Sequence, residues 1–114
     1  MKHTMKLKPA PFFQIKEGKK TIELRLYDEK RQLVSVGDII DFVNTDNEED
    51  MISTMVEELY VFDTFDELYK NLPLLECGYT EENVPKASSA DMEKYYSKEE
   101  QSRYGVVGIK VKVF

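Results

Sequence analysis

The densest run of chemically capable side chains in this sequence is Gly18-Lys19-Lys20-Thr21-Ile22-Glu23-Leu24-Arg25. From Thr21 to Leu26 polar and apolar residues alternate, with Ile22, Leu24 and Leu26 on one face and Thr21, Glu23 and Arg25 on the other. A period of two is the mark of a strand with one face on a core. Lys20 stands at the strand's entry, where a turn after Gly18 can aim its ammonium across the polar face. A cation, a carboxylate and a guanidinium side by side can bind a polar, planar or anionic ligand. Lys20 would hold an oxyanion, Glu23 would accept from an amino group, and Arg25 would close a bidentate fork. The same pattern also fits a surface ladder of ion pairs, worth at most about 1 kcal/mol per exposed pair. Lys30 and Arg31, in the loop after the strand, are placed either to meet a phosphate beside such a site or to form a solvated turn.

Other candidates are isolated. Tyr95, Tyr96 and Tyr104 could stack on a base, as aromatic platforms do in single-strand recognition, or fill the core. Cys77 follows the apolar pair Leu74-Leu75 and reads as a partly buried thiol, because the sole histidine, His3, belongs to the first strand as a core or capping residue. One cysteine forms no internal disulfide, and one His with one Cys falls short of the common structural zinc sets. No metal and no cofactor is expected. The pairs Glu81-Glu82 and Glu99-Glu100 read as solvated positions.

These side chains need a scaffold, and the remaining sequence supplies strand and helix signals in alternation. His3 to Leu7 reads as a first strand. Pro9 and Pro11 open a short helix with Phe12, Phe13 and Ile15 on its apolar side and Gly18 as its stop. Val36-Gly37-Asp38 is a turn into a strand over Ile39 to Val43. The polar run Asn44 to Asp50 predicts a hairpin loop, and Met51 to Phe62 a longer strand. The alternation there slips between Val56 and Leu59, which suggests a β-bulge. Thr64 is positioned to cap a helix over Phe65 to Asn71, with Glu67 completing a capping box. Leu74 to Ser89 is irregular and could be either a lid or a packed connection. Ser89 then caps a short helix through Tyr96, an acidic turn leads to Tyr104, and Gly105 to Phe114 forms a last strand. In that strand Val107, Ile109, Val111 and Val113 face inward and Lys110 and Lys112 outward. About five strands joined by short helices predict an α+β fold, a small curled sheet or barrel. Gly-rich phosphate loops and alternating βαβ repeats are absent.

At 114 residues the chain has the size of one domain, 1–114. No stretch approaches the roughly 18 apolar residues that span a membrane, and residues 1–15 lack the apolar core of a signal peptide. The expected setting is cytoplasmic, without a membrane partner. The net charge of −6 is unevenly spread: residues 1–37 carry nine Lys/Arg against four Asp/Glu, and the rest carry seven against eighteen. So acidic a chain is a poor binder of extended nucleic acid, DNA included, because affinity there comes from neutralising phosphates. A basic surface formed by the first third could still hold a phosphate or a few nucleotides.

The run from Pro11 to Asp28 resembles the ASCH domain, a relative of the PUA domain, whose Gly-x-Lys-x-x-Glu-x-Arg signature is met by Gly18, Lys20, Glu23 and Arg25. Three more landmarks follow in order: Val36 to Phe42, Phe65 to Leu68, and Tyr104 to Ile109. The resemblance implies a PUA-like β-barrel of about five to six strands with short helices packed around it. It also implies a cleft beside the signature strand that takes RNA or a nucleoside- or nucleotide-like ligand, with Lys20, Thr21, Glu23, Arg25, Lys30 and Arg31 as the binding set. One branch of the family hydrolyses the acetyl amide of acetylcytidine, with a lysine at the position of Lys20, a threonine at that of Glu23 and a downstream glutamate corresponding to Glu76. An amidohydrolase using Lys20, Glu23 and Glu76 is therefore the alternative to a binding module. The glutamate at position 23 departs from that branch.

Overall fold

The computed structural model describes residues 1–114. Its strands are β1 (Lys2–Leu7), β2 (Ile22–Leu26), β3 (Ile39–Asn44), β4 (Asn47–Phe62) and β5 (Val106–Val113), and its α-helices are α1 (Pro9–Lys16), α2 (Phe65–Asn71) and α3 (Lys98–Tyr104). The strands form one sheet in the order β1-β3-β4-β5-β2, curled into an α+β half-barrel. β1 and β3 run parallel and every other pair is antiparallel. A parallel pair needs a crossover, and this one contains α1 and β2. β2 therefore has to leave the neighbourhood of β1 and join the far edge, against β5.

Met5, Leu7, Ile40, Phe42, Ile52, Val56, Val107, Ile109 and Val111 line the inner face of the sheet, and Phe12 and Ile15 of α1 close over them. A second cluster lies on the outer face, where Ile22, Leu24, Leu26 and Val106 meet Phe65 and Leu68 of α2, Cys77 and Met92. The alternation in β2 is as expected, but the inference of one core and one solvent face is corrected. Opposed residues of an antiparallel pair share a face. Glu23 lies opposite Ile109 and Arg25 opposite Val107, so the polar side chains of β2 point into the half-barrel and its leucines point to the helices outside. Both faces of β2 are covered.

The slip in β4 is a register shift between Val56 and Glu58. The expected acidic loop Asn44 to Asp50 shrinks to Thr45-Asp46. Asn44 and Asn47 accept from the backbone N–H groups of Asp46 and Glu49, which lets β4 start at Asn47 rather than Met51. Thr64 caps α2 by accepting from the Glu67 N–H at 3.2 Å, without a reciprocal bond from the Glu67 side chain. Ser88, not Ser89, caps the following 3-10 helix Ser89–Lys94, in a capping box with Asp91. The acidic turn before Tyr104 is the helix α3, in which Glu100, a solvated position as expected, also serves as the capping-box partner to Ser97. His3 ties β1 to the turn before β3 through Asp38, at 2.9 Å. No helix is long and apolar enough to cross a membrane.

Gly105 ends α3 and starts β5 with φ at +73°, and a Cβ there would sit 3.0 Å from the Phe62 carbonyl oxygen. Its own carbonyl accepts from Tyr27 N–H, so the turn also fixes the end of β2. Gly105→Ala is expected to cost about 1–3 kcal/mol through backbone strain and this contact. Urea unfolding measures it, and an unchanged midpoint would show that the turn relaxes freely.

Candidate functional site

The half-barrel is open between its edge strands, β1 and β2. Arg25 spans this seam: its Nη2 donates to the Lys6 carbonyl oxygen on β1 at 2.8 Å. Its Nε donates to Glu23 Oε2, also at 2.8 Å, and Lys20 Nζ lies 2.8 Å from Glu23 Oε1. The Glu23, Lys20 and Arg25 side chains are 6%, 10% and 13% exposed. Burial alone would raise the Glu23 carboxyl, but the charges and hydrogen bonds of Lys20 and then Arg25 outweigh it and hold the group below its ordinary value. The three form a buried ion cluster, not the exposed ladder that the sequence also allowed.

Lys20 is aimed by the turn after α1, where the N–H groups of Lys19 and Lys20 both donate to the Gln14 carbonyl oxygen. Gly78, at φ +111°, brings backbone against it from the other side: a Cβ there would meet Lys20 Cδ and Gln14 Oε1 at 3.3 Å. Gln14 Nε2 donates to the Gly78 carbonyl and locks that approach. The irregular segment after α2 is thus a wall pressed onto the ion cluster rather than a detached lid.

Beside the cluster opens a cleft of about 730 Å³, within the usual range of ligand pockets. Its cationic lining is Lys6, Lys8, Lys20, Arg25, Lys86 and Lys94, against Glu23 and Asp91 in the lining and Glu48, which pairs with Lys6 at 3.2 Å, so the cleft is positive on a molecule of net charge −6. Tyr95 stands exposed at the rim with Lys94 Nζ 5.2 Å and Lys8 Nζ 5.9 Å from its ring centroid. Tyr96 also lines the cleft while stacking on Phe65, whereas Tyr104 lies outside it. Tyr69 and Tyr79 complete the aromatic lining.

Several expected site residues stand elsewhere. Thr21 does not line the cleft, because its hydroxyl donates to Glu76 Oε1 at 2.8 Å and the N–H groups of Thr21 and Ile22 donate to the Glu76 carbonyl. The same bonds anchor Glu76 outside the cleft, so Lys20, Glu23 and Glu76 do not line a common cavity. Lys30 is exposed away from it, and Arg31 is drawn back onto Asp28, with Nη1 at 3.3 Å from Oδ2. Of the other cations in residues 1–37, Lys2 pairs with Asp41 and Lys19 with Glu17. The expected positive surface thus gathers in part, and Lys86 and Lys94 from the acidic remainder complete it. No local signal marked those two lysines; the path of the chain after α2 delivers them. Cys77 is buried and burial pushes its thiol up to about 12, which leaves it protonated and unreactive at neutral pH. No group of three or more His, Cys, Asp or Glu side chains is arranged to hold a metal ion.

The family model described as the ASCH domain matches residues 5–114. No curated protein matches the chain. Among solved structures it is similar to the crystal structure of hypothetical protein PH0355, at 29% identity and a TM-score of 0.82 over all of both chains. It is similar to the solution structure of protein PF0455 from Pyrococcus furiosus, at 28% identity and a TM-score of 0.76 over 100% of this chain and 98% of that one. The ASCH domain from Lactobacillus crispatus shares the fold, with a TM-score of 0.67 at 15% identity over 98% of this chain and 79% of that one.

Glu23→Gln would leave two buried cations without their carboxylate, and at neutral pH it is expected to cost about 3–5 kcal/mol. Because the folded-state value of Glu23 lies below the ordinary 4.5, its contribution is complete above that pH and is lost as the pH falls through the folded value. The stability gap between the wild type and Glu23→Gln should therefore close in acid, as followed by urea unfolding across the pH range. A gap independent of pH would show that the charge of Glu23 is not what stabilises the cluster.

Proposed function

The chain belongs to the ASCH domain family, which is PUA-like and associated with RNA binding, and we propose that its cleft binds a nucleotide or the end of a short RNA. One observation carries this reading: Lys20 and Arg25, both largely buried, share the single carboxylate of Glu23 at the cleft. Glu23 neutralises one of the two charges and occupies one N–H donor of each. The Lys6 carbonyl takes one further N–H of Arg25, and the donors left on the ammonium and guanidinium stay available for an acceptor-rich ligand. Lys8, Lys86 and Lys94 add charge suited to a phosphate, and Tyr95 offers a ring face to a base. The acidity of the rest of the molecule disfavours a long nucleic-acid track and favours a small ligand or a short end.

Binding is preferred to amide hydrolysis on chemical grounds. Hydrolysis needs a base or nucleophile within reach of the oxyanion donor. Glu23 has each of its oxygens bound to a cation, and Glu76 is held by Thr21 outside the cleft.

Lys20→Met keeps the length of the side chain and the Glu23–Arg25 pair while removing one buried charge. It is expected to weaken binding of cytidine monophosphate or a short oligoribonucleotide by roughly 1.5–3 kcal/mol. Lys110→Ala, on the outer face of β5, should be nearly silent. Calorimetry at two salt concentrations reads both, with circular dichroism confirming the fold. Equal, small, salt-sensitive losses in the two variants would leave only diffuse charge and would sink the site.

A further inference from the structure

A chain of hydrogen bonds on one wall of the cleft runs in a fixed direction. Tyr79 Oη lies 2.6 Å from Asp91 Oδ2 and 2.7 Å from Tyr69 Oη, and all three residues line the cleft. A carboxylate only accepts, so the single phenolic proton of Tyr79 goes to Asp91. The Tyr79 oxygen can then only accept from Tyr69, which commits the Tyr69 proton as well. What remains to face a ligand is lone pairs: those of the Tyr69 oxygen and of Asp91 Oδ1. Polarity is thereby imposed on two hydroxyls that would otherwise rotate to suit either kind of partner.

The parts are also held in place. Asp91 is fixed by its capping box with Ser88, and the Tyr69 and Tyr79 rings pack edge to face with centroids 5.9 Å apart. The protonation states of Asp91 and Tyr79 agree with donation from Tyr79 to Asp91. The bonds from Tyr79 and then Ser88 keep Asp91 below the ordinary carboxylate range, while burial and then the Asp91 bond raise Tyr79. Burial likewise raises Tyr69.

We propose that Tyr69, Tyr79 and Asp91 form an acceptor wall that selects bases carrying an exocyclic amino group over their keto counterparts. This rests on the reading of the cleft as a nucleotide site. Lys20 and Arg25 present donors to the ligand and this wall presents acceptors, so the pair suits a base with a ring or carbonyl acceptor and an amino donor, such as cytosine or adenine. A keto oxygen at the amino position would face lone pairs and lose its hydration without a replacement donor.

The test is calorimetric titration with the monophosphates of cytidine, uridine, adenosine and inosine. The wild type is expected to bind cytidine over uridine, and adenosine over inosine, by about ten-fold. Tyr69→Phe removes one of the two acceptors and should reduce the preference while leaving uridine and inosine binding nearly unchanged. Asp91→Asn supplies an amide N–H that can donate to Tyr79. The chain can then reverse and turn the Tyr69 proton toward the ligand, so the preference should fall or invert. Equal wild-type affinity for all four nucleotides, or a preference that survives both substitutions, would overturn the acceptor wall and leave the proposed function standing. Failure of all four to bind would overturn the proposed function, and the wall with it.

Discussion

The Glu23 carboxylate is buried with both of its oxygens engaged by cations that are themselves buried and bonded. Glu23 sits on the inner face of an edge strand, where an unpaired charge would cost several kcal/mol. Lys20 takes one oxygen and Arg25 the other, and Arg25 continues across the open seam to the Lys6 carbonyl on the opposite edge of the sheet. The cluster therefore closes the half-barrel and forms the floor of the cleft with the same atoms. The fold cannot relax this arrangement without exposing the seam, and the cleft cannot lose it without losing its donors.

The electrostatics follow from topology more than from composition. A chain of net charge −6 acquires a positive cleft because β1, the turn after α1, and the segment between α2 and α3 each deliver lysines to one place. Most acidic residues stand elsewhere, as a helix cap at Glu100 and as partners for cations outside the cleft at Asp28 and Asp41. Asp91 serves twice, as a cap and as the acceptor that orients two tyrosines.

The strands, the bulge in β4 and the order of the landmarks were legible in the sequence because period-two alternation and cap residues are local signals. The trio Lys20, Glu23 and Arg25 was legible for the same reason, since three side chains near one strand need no tertiary information to be placed together. Local pattern could not reveal that β2 is sandwiched between two cores, because alternation tells which side chains share a face and not what covers it. It also overreached at Thr21, Lys30 and Arg31. Thr21 is held by Glu76 and Arg31 by Asp28, partners that compete with the cleft, and Lys30 is exposed outside it. Tyr69 reaches the cleft from the short helix α2, and Tyr79, Lys86 and Lys94 from the turns and 3-10 helices after it, where neither periodicity nor spacing constrains direction.

The pairing of β2 with β5, and of β1 with β3 alone, also sets an order of assembly. β2 has no strand neighbour until the last element of the chain arrives, and the seam to β1 is bridged only once β2 is on its edge. Hairpin β3–β4 can form from local contacts, whereas the closing contacts link distant parts of the sequence and carry the entropy of long loops. During synthesis, the nascent chain holds Lys20, Glu23 and Arg25 as three solvated, mobile charges. The assembled cleft thus depends on β5: a ribosome-bound fragment lacking that strand has every residue of the ion cluster and no floor to the cleft.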